Sequence, residues 1–386
     1  MKKSLALLVC LLVAFFFWAC SLRPENITVI LDNHQNTGDA GQSGFQPKEA
    51  YYHSISNKLV AGWQGDQLLV YDVYGAYLVN PSTGESTVCF ETDGDPLMYL
   101  TVSEDGKHLC YLLGLGDPLL QVYLADTGFK NSQSLGYIES MANSDAYYDI
   151  YFLEELAPSL SDSSGFWSTD SKILQLPDLL RNPHTGTPYL LDTDAEAILD
   201  QNAFDSLERH ISSVDLLDIQ DATDEFLFFP YSEETLYVSK GQSAEPLPST
   251  FQYGNMLKAS FLGENGVVYL SGNTMGILRR DLPGQAKIYT VVGDYALSAD
   301  RSFICFTKLS DQRSYDLYLA QCKEGIVLSE SLIFKDFLPD QNGIFFSPDG
   351  QNICIQGKKG TVAASYSAST GAFEGSSEKD VLILHF

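Results

Sequence analysis

Histidines and carboxylates are the side chains of this sequence best suited to acid–base or metal chemistry. The six histidines stand far apart, and no two have the spacing of a pair of metal ligands. His184 lies in a long polar loop sequence, Asn182-Pro183-His184-Thr185-Gly186, and we take it as a candidate site residue. Carboxylates are so numerous that sequence alone cannot identify a glycosidase pair, whose members must meet in space. We therefore predict no catalytic residue and no cofactor.

Two short segments match known functional motifs only in part. Asp192-Thr193-Asp194-Ala195-Glu196 spaces its carboxylates as an EF-hand calcium loop does, but Ala197 and Ala203 occupy the positions of the required glycine and closing glutamate. Capping of a following helix explains Asp194 more simply. Gly41-Gln42-Ser43-Gly44 lacks the last spacing of a nucleophile elbow and lies in a polar linker sequence. No metal site is predicted.

Cysteines add a constraint on redox chemistry. Five remain beside Cys10 and Cys20 of the N-terminal segment, and an odd number cannot pair fully within one chain. Cys305 with Cys322 is the best disulfide candidate. If the protein is exported, mostly free thiols indicate surroundings that are not strongly oxidising. Three of the five occupy equivalent places in the repeats described next, where burial as a small apolar residue is the expected role: Cys110, Cys305 and Cys354.

A repeated hairpin must position these residues, and it is clearest in the stretch 344–355. There, two apolar runs flank Ser347-Pro348-Asp349-Gly350, in which the proline and glycine favour the backbone angles of a tight turn. Polar turns of this kind recur at a mean interval of about 47 residues, close to the length of a propeller blade. The seven turns are Gly65-Asp66, Asp105-Gly106, Asp170-Ser171, Asp224-Glu225, Asn265-Gly266, Asp300-Arg301 and Asp349-Gly350.

A second β-rich run and turn follow several of these hairpins, as at 76–84 and 121–128. The 22 residues from Gly106 to Gly128 are about what two strands and their turns require, so each repeat holds four strands. Four-stranded sheets leave exposed edges unless they are arranged radially. We therefore predict an all-β protein, a β-propeller of about seven four-stranded blades with short helical insertions.

Four of the repeats resemble the WD-repeat-like blades of TolB-type propellers. The resemblance covers roughly Ala50 to Phe386 and implies a fold more than a function. Such propellers include exported partner-binding proteins and polysaccharide lyases, and similar blades precede the catalytic domain of prolyl oligopeptidase-like enzymes. The fourth repeat and the long insertions depart from the pattern, and no Trp-Asp dipeptide is present. The matching turns are Ser103-Glu104-Asp105-Gly106, Ser168-Thr169-Asp170-Ser171, Ser298-Ala299-Asp300 and Ser347-Pro348-Asp349-Gly350.

Two insertions, Gly136–Gly165 and Ala195–Ser213, flank the third blade. The first suggests a helix at Asp149–Leu156, and the second an amphipathic helix with Ile198, Leu207 and Ile211 that Asp194 would cap. Both insertions join an outer strand to the next inner strand, so we expect them on one face of the ring.

Negative charge concentrates in the same region, where residues 131–239 contain 21 acidic and three basic residues. Such a potential attracts cations, and we predict a binding face for a protein or cationic partner. Two solvated helices are the simpler alternative, and a calcium site is a third. The candidate residues of this face are Tyr147, Tyr148, Tyr151, Glu154, Glu155 and His184.

The N-terminus resembles a bacterial lipoprotein signal, because Lys2 and Lys3 precede an apolar run that ends at Ala19-Cys20. The resemblance implies removal of residues 1–19 and lipid attachment at Cys20. Phe17 and Trp18 depart from the family pattern, and an uncleaved signal anchor or ordinary secretion are the alternatives. Residues 20–49 would form a tether. Within it, Thr28–Leu31 is a candidate strand that closes the ring by pairing with the C-terminal 381–386.

Charge also limits the class of partner. Without Lys2 and Lys3, 21 basic residues stand against 50 acidic ones, which disfavours nucleic acid. We predict that residues 50–386 form a monomeric propeller, lipid-anchored on the extracytoplasmic side of a bacterial cell membrane, that acts as a non-catalytic binding module through its acidic face. One alternative is a cell-surface carbohydrate-active enzyme, a polysaccharide lyase or hydrolase. Another is a sensor or accessory subunit of an exported complex.

Overall fold

The chain folds as a seven-bladed β-propeller of four-stranded antiparallel sheets. In the described residues, the helices are two short 3-10 turns, Thr127–Phe129 and Asp178–Leu180. The computed structural model describes residues 26–29, 45–56, 58–115, 119–139, 165–180, 182–184, 188–199, 214–221, 225–230, 235–240, 243–247, 256–282, 286–310, 314–359, 365–367, 372–374 and 379–386.

Blades 1 to 5 each consist of four strands that follow one another along the chain, from the innermost to the outermost. Blade 1 contains β3 (Leu59–Gln64), β4 (Gln67–Asp72), β5 (Gly75–Val79) and β6 (Ser86–Glu91). Blade 2 contains β7 (Leu97–Val102), β8 (His108–Gly114), β9 (Leu119–Asp126) and β10 (Lys130–Glu139). Blade 3 contains β11 (Phe166–Trp167), β12 (Ile173–Gln175), β13 (Leu190–Asp192) and β14 (Ala197–Leu199). Blade 4 contains β15 (Val214–Asp221), β16 (Glu225–Pro230), β17 (Tyr237–Lys240) and β18 (Ser243–Pro246). Blade 5 contains β19 (Met256–Leu262), β20 (Gly266–Ser271), β21 (Thr274–Arg279) and β22 (Ala286–Thr290).

Blades 6 and 7 close the ring by sharing strands. One long strand, β26 (Ile326–Phe346), is the outer strand of blade 6 in its first part and the inner strand of blade 7 in its last part. The other strands of blade 6 are β23 (Val292–Leu297), β24 (Phe303–Leu309) and β25 (Tyr315–Lys323). Blade 7 is completed by β27 (Asn352–Lys359), β30 (Lys379–His385) and the N-terminal β2 (Glu49–Ser56).

The N-terminal strand that closes the ring differs from the one that we predicted. The C-terminal β30 pairs with β2, with Glu49 opposite His385 and His53 opposite Val381. The predicted strand at Thr28–Leu31 corresponds to β1 (Asn26–Val29), which pairs with the outer side of β2 as a fifth strand of blade 7. A short hairpin of β28 (Ser365–Ser367) and β29 (Ala372–Glu374) lies in the connection between β27 and β30.

Alternating strand direction gives the ring two faces. The turns between the first and second strands lie on one face, which we call the turn face. Connections between blades, and those between second and third strands, lie on the other, which we call the insertion face. Both long insertions leave outer strands there, as predicted, although residues 140–164 and 200–213 themselves lie outside the described residues.

A serine and an aspartate build the turn in the four repeats that carried the resemblance. In blade 7, Ser347 Oγ donates to Asp349 Oδ1 at 2.6 Å and accepts the N–H of Asn352 at 2.8 Å. Asp349 Oδ1 also accepts the N–H of Gln351 at 3.0 Å, so two side chains satisfy the turn backbone. The same bonds begin from Ser103, Ser168 and Ser298 in blades 2, 3 and 6.

Seven clusters of buried apolar side chains fill the seven seams between blades, because both surfaces of each sheet are covered by a neighbour. The clusters differ in size. The seam between blades 2 and 3 holds thirteen buried residues, whereas the described part of the seam between blades 3 and 4 holds four. Those four are Ile173, Leu190, Ile219 and Phe226.

Two predictions about local structure are wrong. Cys305 and Cys322 are free thiols, because Cys305 stands opposite Leu319 on the neighbouring strand and Cys322 points to the other surface of the sheet. Asp194 caps no helix, since Asp192 Oδ1 accepts the N–H groups of Asp194 and Ala195 in a turn that leads into β14. Ile198 therefore lies on a strand, and the predicted helix at Asp149–Leu156 falls outside the described residues.

Candidate functional site

Most residues of the predicted binding face lie outside the described part of the chain. This applies to Tyr147, Tyr148, Tyr151, Glu154 and Glu155, and to the predicted lipid attachment site Cys20. His184 is described, and it lies in the loop between the second and third strands of blade 3, on the insertion face.

His184 marks the place where two blades meet on that face. Its Nε2 lies 3.3 Å from Glu139 Oε2 at the end of β10, and its side chain is 78% exposed. The Tyr189 hydroxyl donates to the carbonyl oxygen of Glu139 at 3.4 Å, a second contact between the blades. Glu139 is the last described residue before the insertion at 140–164. The structure thus brings His184 to the base of that insertion.

A second group of charged residues lies at the centre of the ring, and none of them is among the predicted site residues. Arg301, from the turn of blade 6, places Nη2 2.9 Å from Glu104 Oε2 of blade 2 and donates to Thr169 Oγ1 of blade 3 at 3.3 Å. Blades 2 and 6 are not neighbours, so the guanidinium crosses the central channel. The turns also crowd together here, because a Cβ on Gly106 would lie 2.7 Å from Pro348 Cγ of blade 7.

Arg301 adopts an unfavourable backbone conformation to reach this position. Its φ is +58°, where the equivalent turn residues Gly106 and Gly350 have φ of +72° and +69°. Glycine adopts such angles freely, whereas other residues do so at a cost that the surroundings must offset. The side chain is 92% buried by area, and its Nε has no hydrogen-bond partner among the described residues. An arginine in the position of a glycine was the sequence signal for this cluster.

Two carboxyl groups near Arg301 have pKa values above their usual range. Burial raises the pKa of Glu104 to about 7; Arg301 opposes this increase, and the nearby Asp218 adds to it. Burial likewise raises the pKa of Asp218 to about 6, against the field of Arg301 and two backbone N–H bonds. Those bonds come from Phe261 and Ile219, each at 2.8 Å, so Asp218 also ties blade 4 to blade 5.

Lys258 extends the cluster along the channel. Its Nζ lies 3.3 Å from Asp294 Oδ1, donates to the carbonyl oxygen of Tyr295 at 2.7 Å, and stands 4.8 Å from the centre of that ring. The field of Lys258 also lowers the pKa of Glu104, which places both groups in one electrostatic unit. Each cation of the cluster therefore has a carboxylate partner, an arrangement that links blades 2, 4, 5 and 6 across the ring.

Two other features are absent from the described residues. They contain no cluster of three or more histidine, cysteine, aspartate or glutamate residues arranged to hold a metal ion. They also contain no helix with the length and apolar character to cross a membrane.

Comparison with known proteins gives similarity to solved structures alone. No family model matches the sequence, and no curated protein matches it. The β-propeller domain of the Trilobed protease from Pyrococcus furiosus is 12% identical, with a TM-score of 0.47 over 80% of this chain and 91% of that one. The RRP9 WD40 repeats are 9% identical, with a TM-score of 0.49 over 86% and 97% of the two chains. TolB from Acinetobacter baumannii is 10% identical, with a TM-score of 0.36 over 84% and 62%. The chain's own sheet topology shows the β-propeller.

Proposed function

We propose that this protein is a non-catalytic binding module, held by a lipid at Cys20 on the extracytoplasmic side of a bacterial membrane, that binds a basic protein segment through its insertion face. The observation that carries the proposal is the contact between His184 and Glu139 at 3.3 Å. This contact joins the long loop of blade 3 to the end of β10, from which the insertion at 140–164 continues along the chain.

The charge of that insertion indicates the class of partner. Residues 140–164 include five acidic residues and no lysine or arginine, and residues 231–234, between the second and third strands of blade 4, add Glu233 and Glu234. Not all the acidity of the region belongs to this face, because Asp192, Asp194 and Glu196 lie in a turn between outer strands, on the turn face. A basic segment would be attracted by the insertion and would gain affinity from the desolvated centre of the contact.

Capture of a partner from a membrane extract tests the proposal. The intact protein should retain a partner that a Glu154→Lys, Glu155→Lys variant loses, because the reversed charges repel a basic segment. Asp66→Lys with Glu85→Lys is the matched control, since both residues are exposed on the turn face. The proposal is contradicted if both variants retain the same partner, or if the control loses it equally.

One observation favours a second candidate, a carbohydrate-active enzyme. A carboxyl group with a pKa near 7 beside an arginine is the kind of group that serves as a general acid, and Glu104 is such a group. Arg301 spans the channel at the turn face, so in this mechanism a glycan would enter from the insertion face. Polysaccharide cleavage that Glu104→Gln abolishes and His184→Ala leaves unchanged would establish this function instead. A sensor or accessory role would use the same binding surface and stays a prediction.

A further inference from the structure

We infer that the outer rim of blade 2, where it meets blade 1, binds a neutral glycan whose sugar rings stack on partly exposed aromatic side chains. We call this surface the aromatic rim. It lies on the side of the ring rather than on the insertion face, so it would add a second binding function to the proposed one. The aromatic rim consists of Gln121, Tyr123, Phe129, Ser132, Ser134 and Tyr137.

Four aromatic rings from the two blades form the base of this surface. Tyr111 of β8 lies at their centre and is only 4% exposed. Its ring is parallel to that of Tyr123 on β9, with centroids 4.7 Å apart and 2° between the planes. Phe90 of β6 stacks on Phe129 at 4.6 Å, so the blades meet here through their rings. Phe90, Tyr123 and Phe129 are only partly buried, and the cluster therefore reaches the solvent.

The turn that carries Phe129 holds this ring in place at a cost in backbone energy. Phe129 has a φ of +57°, an angle that bulky residues rarely adopt. It ends the short 3-10 turn Thr127–Phe129 between β9 and β10. Strained residues of this kind persist where their surroundings fix them, and they concentrate at binding sites. Contacts with Phe90 and Tyr111, at centroid distances of 4.6 and 5.6 Å, fix this one.

Strand alternation places Tyr137 on the same surface as Tyr123. Leu120 and Ile138 stand opposite each other on β9 and β10 and are buried in the seam between blades 2 and 3. Gln121 and Tyr137, the next opposed pair, therefore point to the other surface, toward blade 1. Tyr123 lies two residues beyond Gln121 and points the same way. Because Tyr137 is 58% exposed, the surface presents a second accessible ring.

Hydroxyl and amide groups accompany the rings. Gln121 Nε2 donates to Ser134 Oγ at 3.0 Å, and the Tyr111 hydroxyl lies 2.6 Å from Ser132 Oγ. Both serines are exposed. Serine hydroxyls and glutamine amides can donate and accept hydrogen bonds, as sugar hydroxyls can. Aromatic faces for the apolar C–H surface of a sugar ring and neutral polar groups for its hydroxyls are the combination that suits a glycan.

The lack of charge on this surface indicates the class of glycan. The chain contains 50 acidic residues, yet the strand segments around the aromatic rim, 86–90, 119–125 and 131–138, contain no charged residue. A basic protein segment would find no ionic partner there. The net charge of -27 repels acidic polysaccharides, so the surface suits a neutral glycan.

The edge of blade 2 is poorly suited to a peptide that would add a strand. The pairing of β10 with β9 is irregular between Lys130 and Gln133 and again between Ser134 and Gly136. Asn131 and Gly136 have φ of +50° and +118°. Bulges of this kind twist an edge and interrupt the row of backbone groups with which another strand would pair. A ligand that binds to the side chains, as a glycan does, is therefore favoured over an extended peptide.

Calorimetric titration of the full-length protein tests the inference. The probes are maltohexaose, cellohexaose, xylohexaose and N-acetylchitohexaose, with hexagalacturonate as the acidic comparison. At least one neutral probe should bind, and Tyr137→Ala should weaken its binding about tenfold because one stacking ring is lost. This variant should fold normally, since the side chain is 58% exposed. Tyr123→Ala should weaken binding as much, whereas Tyr123→Phe, which keeps the ring, should retain most of the affinity.

Tyr318→Ala is the matched control. Tyr318 stacks across strands on Phe306 in blade 6, with centroids 5.4 Å apart and 15° between the planes, as Tyr123 does on Tyr111 in blade 2. Its surroundings are charged, because Lys308 Nζ lies 6.0 Å from the centre of its ring. Loss of this ring should therefore leave the affinity for the neutral probe unchanged.

Three results would overturn the inference. In the first, no neutral probe binds with a Kd below about 1 mM. In the second, Tyr137→Ala weakens binding no more than Tyr318→Ala does. In the third, hexagalacturonate binds and the neutral probes do not. None of these results concerns the partner captured at the insertion face, so the two proposals can fail separately.

Discussion

Arg301 joins two blades across the central channel. Its positive φ and nearly complete burial are unfavourable. Its ionic contact with Glu104 and its hydrogen bond to Thr169 offset this cost. A buried charge is costly unless it is paired, so Arg301 and its carboxylates depend on one another. Together they link blades across the channel on the turn face.

Replacement of Arg301 by asparagine should destabilise the protein more at pH 8 than at pH 5. Asparagine tolerates positive φ, so the change removes the charge and leaves the backbone little strained. Glu104 and Asp218 would then lose their main cation, at a cost of about 3–5 kcal/mol when both are ionised. Chemical unfolding at the two pH values measures the difference.

The direction of this pH dependence follows from the raised pKa values of Glu104 and Asp218. In the unfolded chain these groups ionise near pH 4, whereas in the folded protein they keep protons up to about pH 6 and 7. The folded state therefore binds more protons in this window, and stability falls as pH rises through it. Adding Glu104→Gln to the arginine variant should recover stability at pH 8. An equal loss at both pH values would show that the cluster acts by packing alone.

At the scale of elements, the serine of each hairpin turn should matter more than its neighbours. Ser298 Oγ accepts the N–H of Phe303 and donates to Asp300, and the residue is buried. Ser298→Ala leaves that buried N–H without its acceptor and should cost about 1–3 kcal/mol in the free energy of unfolding. Ser302→Ala is the control, because this exposed hydroxyl donates to the same Asp300 and water can replace it. Equal costs for the two variants would contradict this role.

The ring-closing strand β2 should make the propeller sensitive to acid. His53, on this strand, is buried, and its Nε2 lies 2.6 Å from the carbonyl oxygen of Pro81 in blade 1. Burial lowers the pKa of His53 below its usual 6.5, so the unfolded chain takes up this proton first. Its contribution to stability is present above pH 6.5 and is lost as pH falls through the lowered pKa.

His53→Gln should therefore reduce the loss of thermal stability between pH 7 and pH 5, since glutamine keeps a hydrogen-bond donor and does not titrate. Melting curves at the two pH values measure this. His184→Gln, at an exposed position, should change the loss little. The role of His53 is refuted if the two variants show the same pH dependence as the native protein.

Local patterns predicted the blades because the information for each hairpin lies within about ten residues. Six of the seven predicted turns join the first and second strands of a blade, and the seventh, at Asp224, lies partly outside the described residues. Cys110, Cys305 and Cys354 are buried on second strands, as the repeat predicted. The prediction of a helix after Asp194 was wrong. Asp192 Oδ1 accepts the N–H groups of Asp194 and Ala195, as a helix cap would, but in a turn between two strands.

At the scale of the whole molecule, the sequence does not reveal contacts between blades that are distant along the chain. Glu104 and Arg301 are almost 200 residues apart, and only ring closure brings them together. The sequence also does not show which N-terminal strand closes the ring, because β1 and β2 are both rich in β-forming residues and lie side by side at the same edge. The candidate binding face was predicted from charge and insertion length, and only His184 among its residues can be placed.

Charge repulsion should make the ring open first between blades 3 and 4. Many of the acidic residues of the chain lie in these two blades, and their mutual repulsion opposes close packing of one blade against the other. The described residues of the seam between them include Ile173, Leu190, Ile219 and Phe226. This seam lies beside the insertions of the proposed binding face.

Native-state hydrogen exchange should therefore find lower opening free energies in strands β12, β13 and β16 than in β20 and β24. Phe226→Ala removes the largest of the described buried side chains between blades 3 and 4 and should widen this difference, whereas Phe306→Ala, equally buried between blades 5 and 6, should narrow it. Each substitution should cost about 3–5 kcal/mol in overall stability, so only the location of the exchange distinguishes them. Raising the salt concentration should slow exchange in blades 3 and 4 more than elsewhere, because it screens their acidic residues. Uniform exchange across the seven blades would mean that the propeller opens as a single unit, and the seam beside the binding face would then have no special mobility.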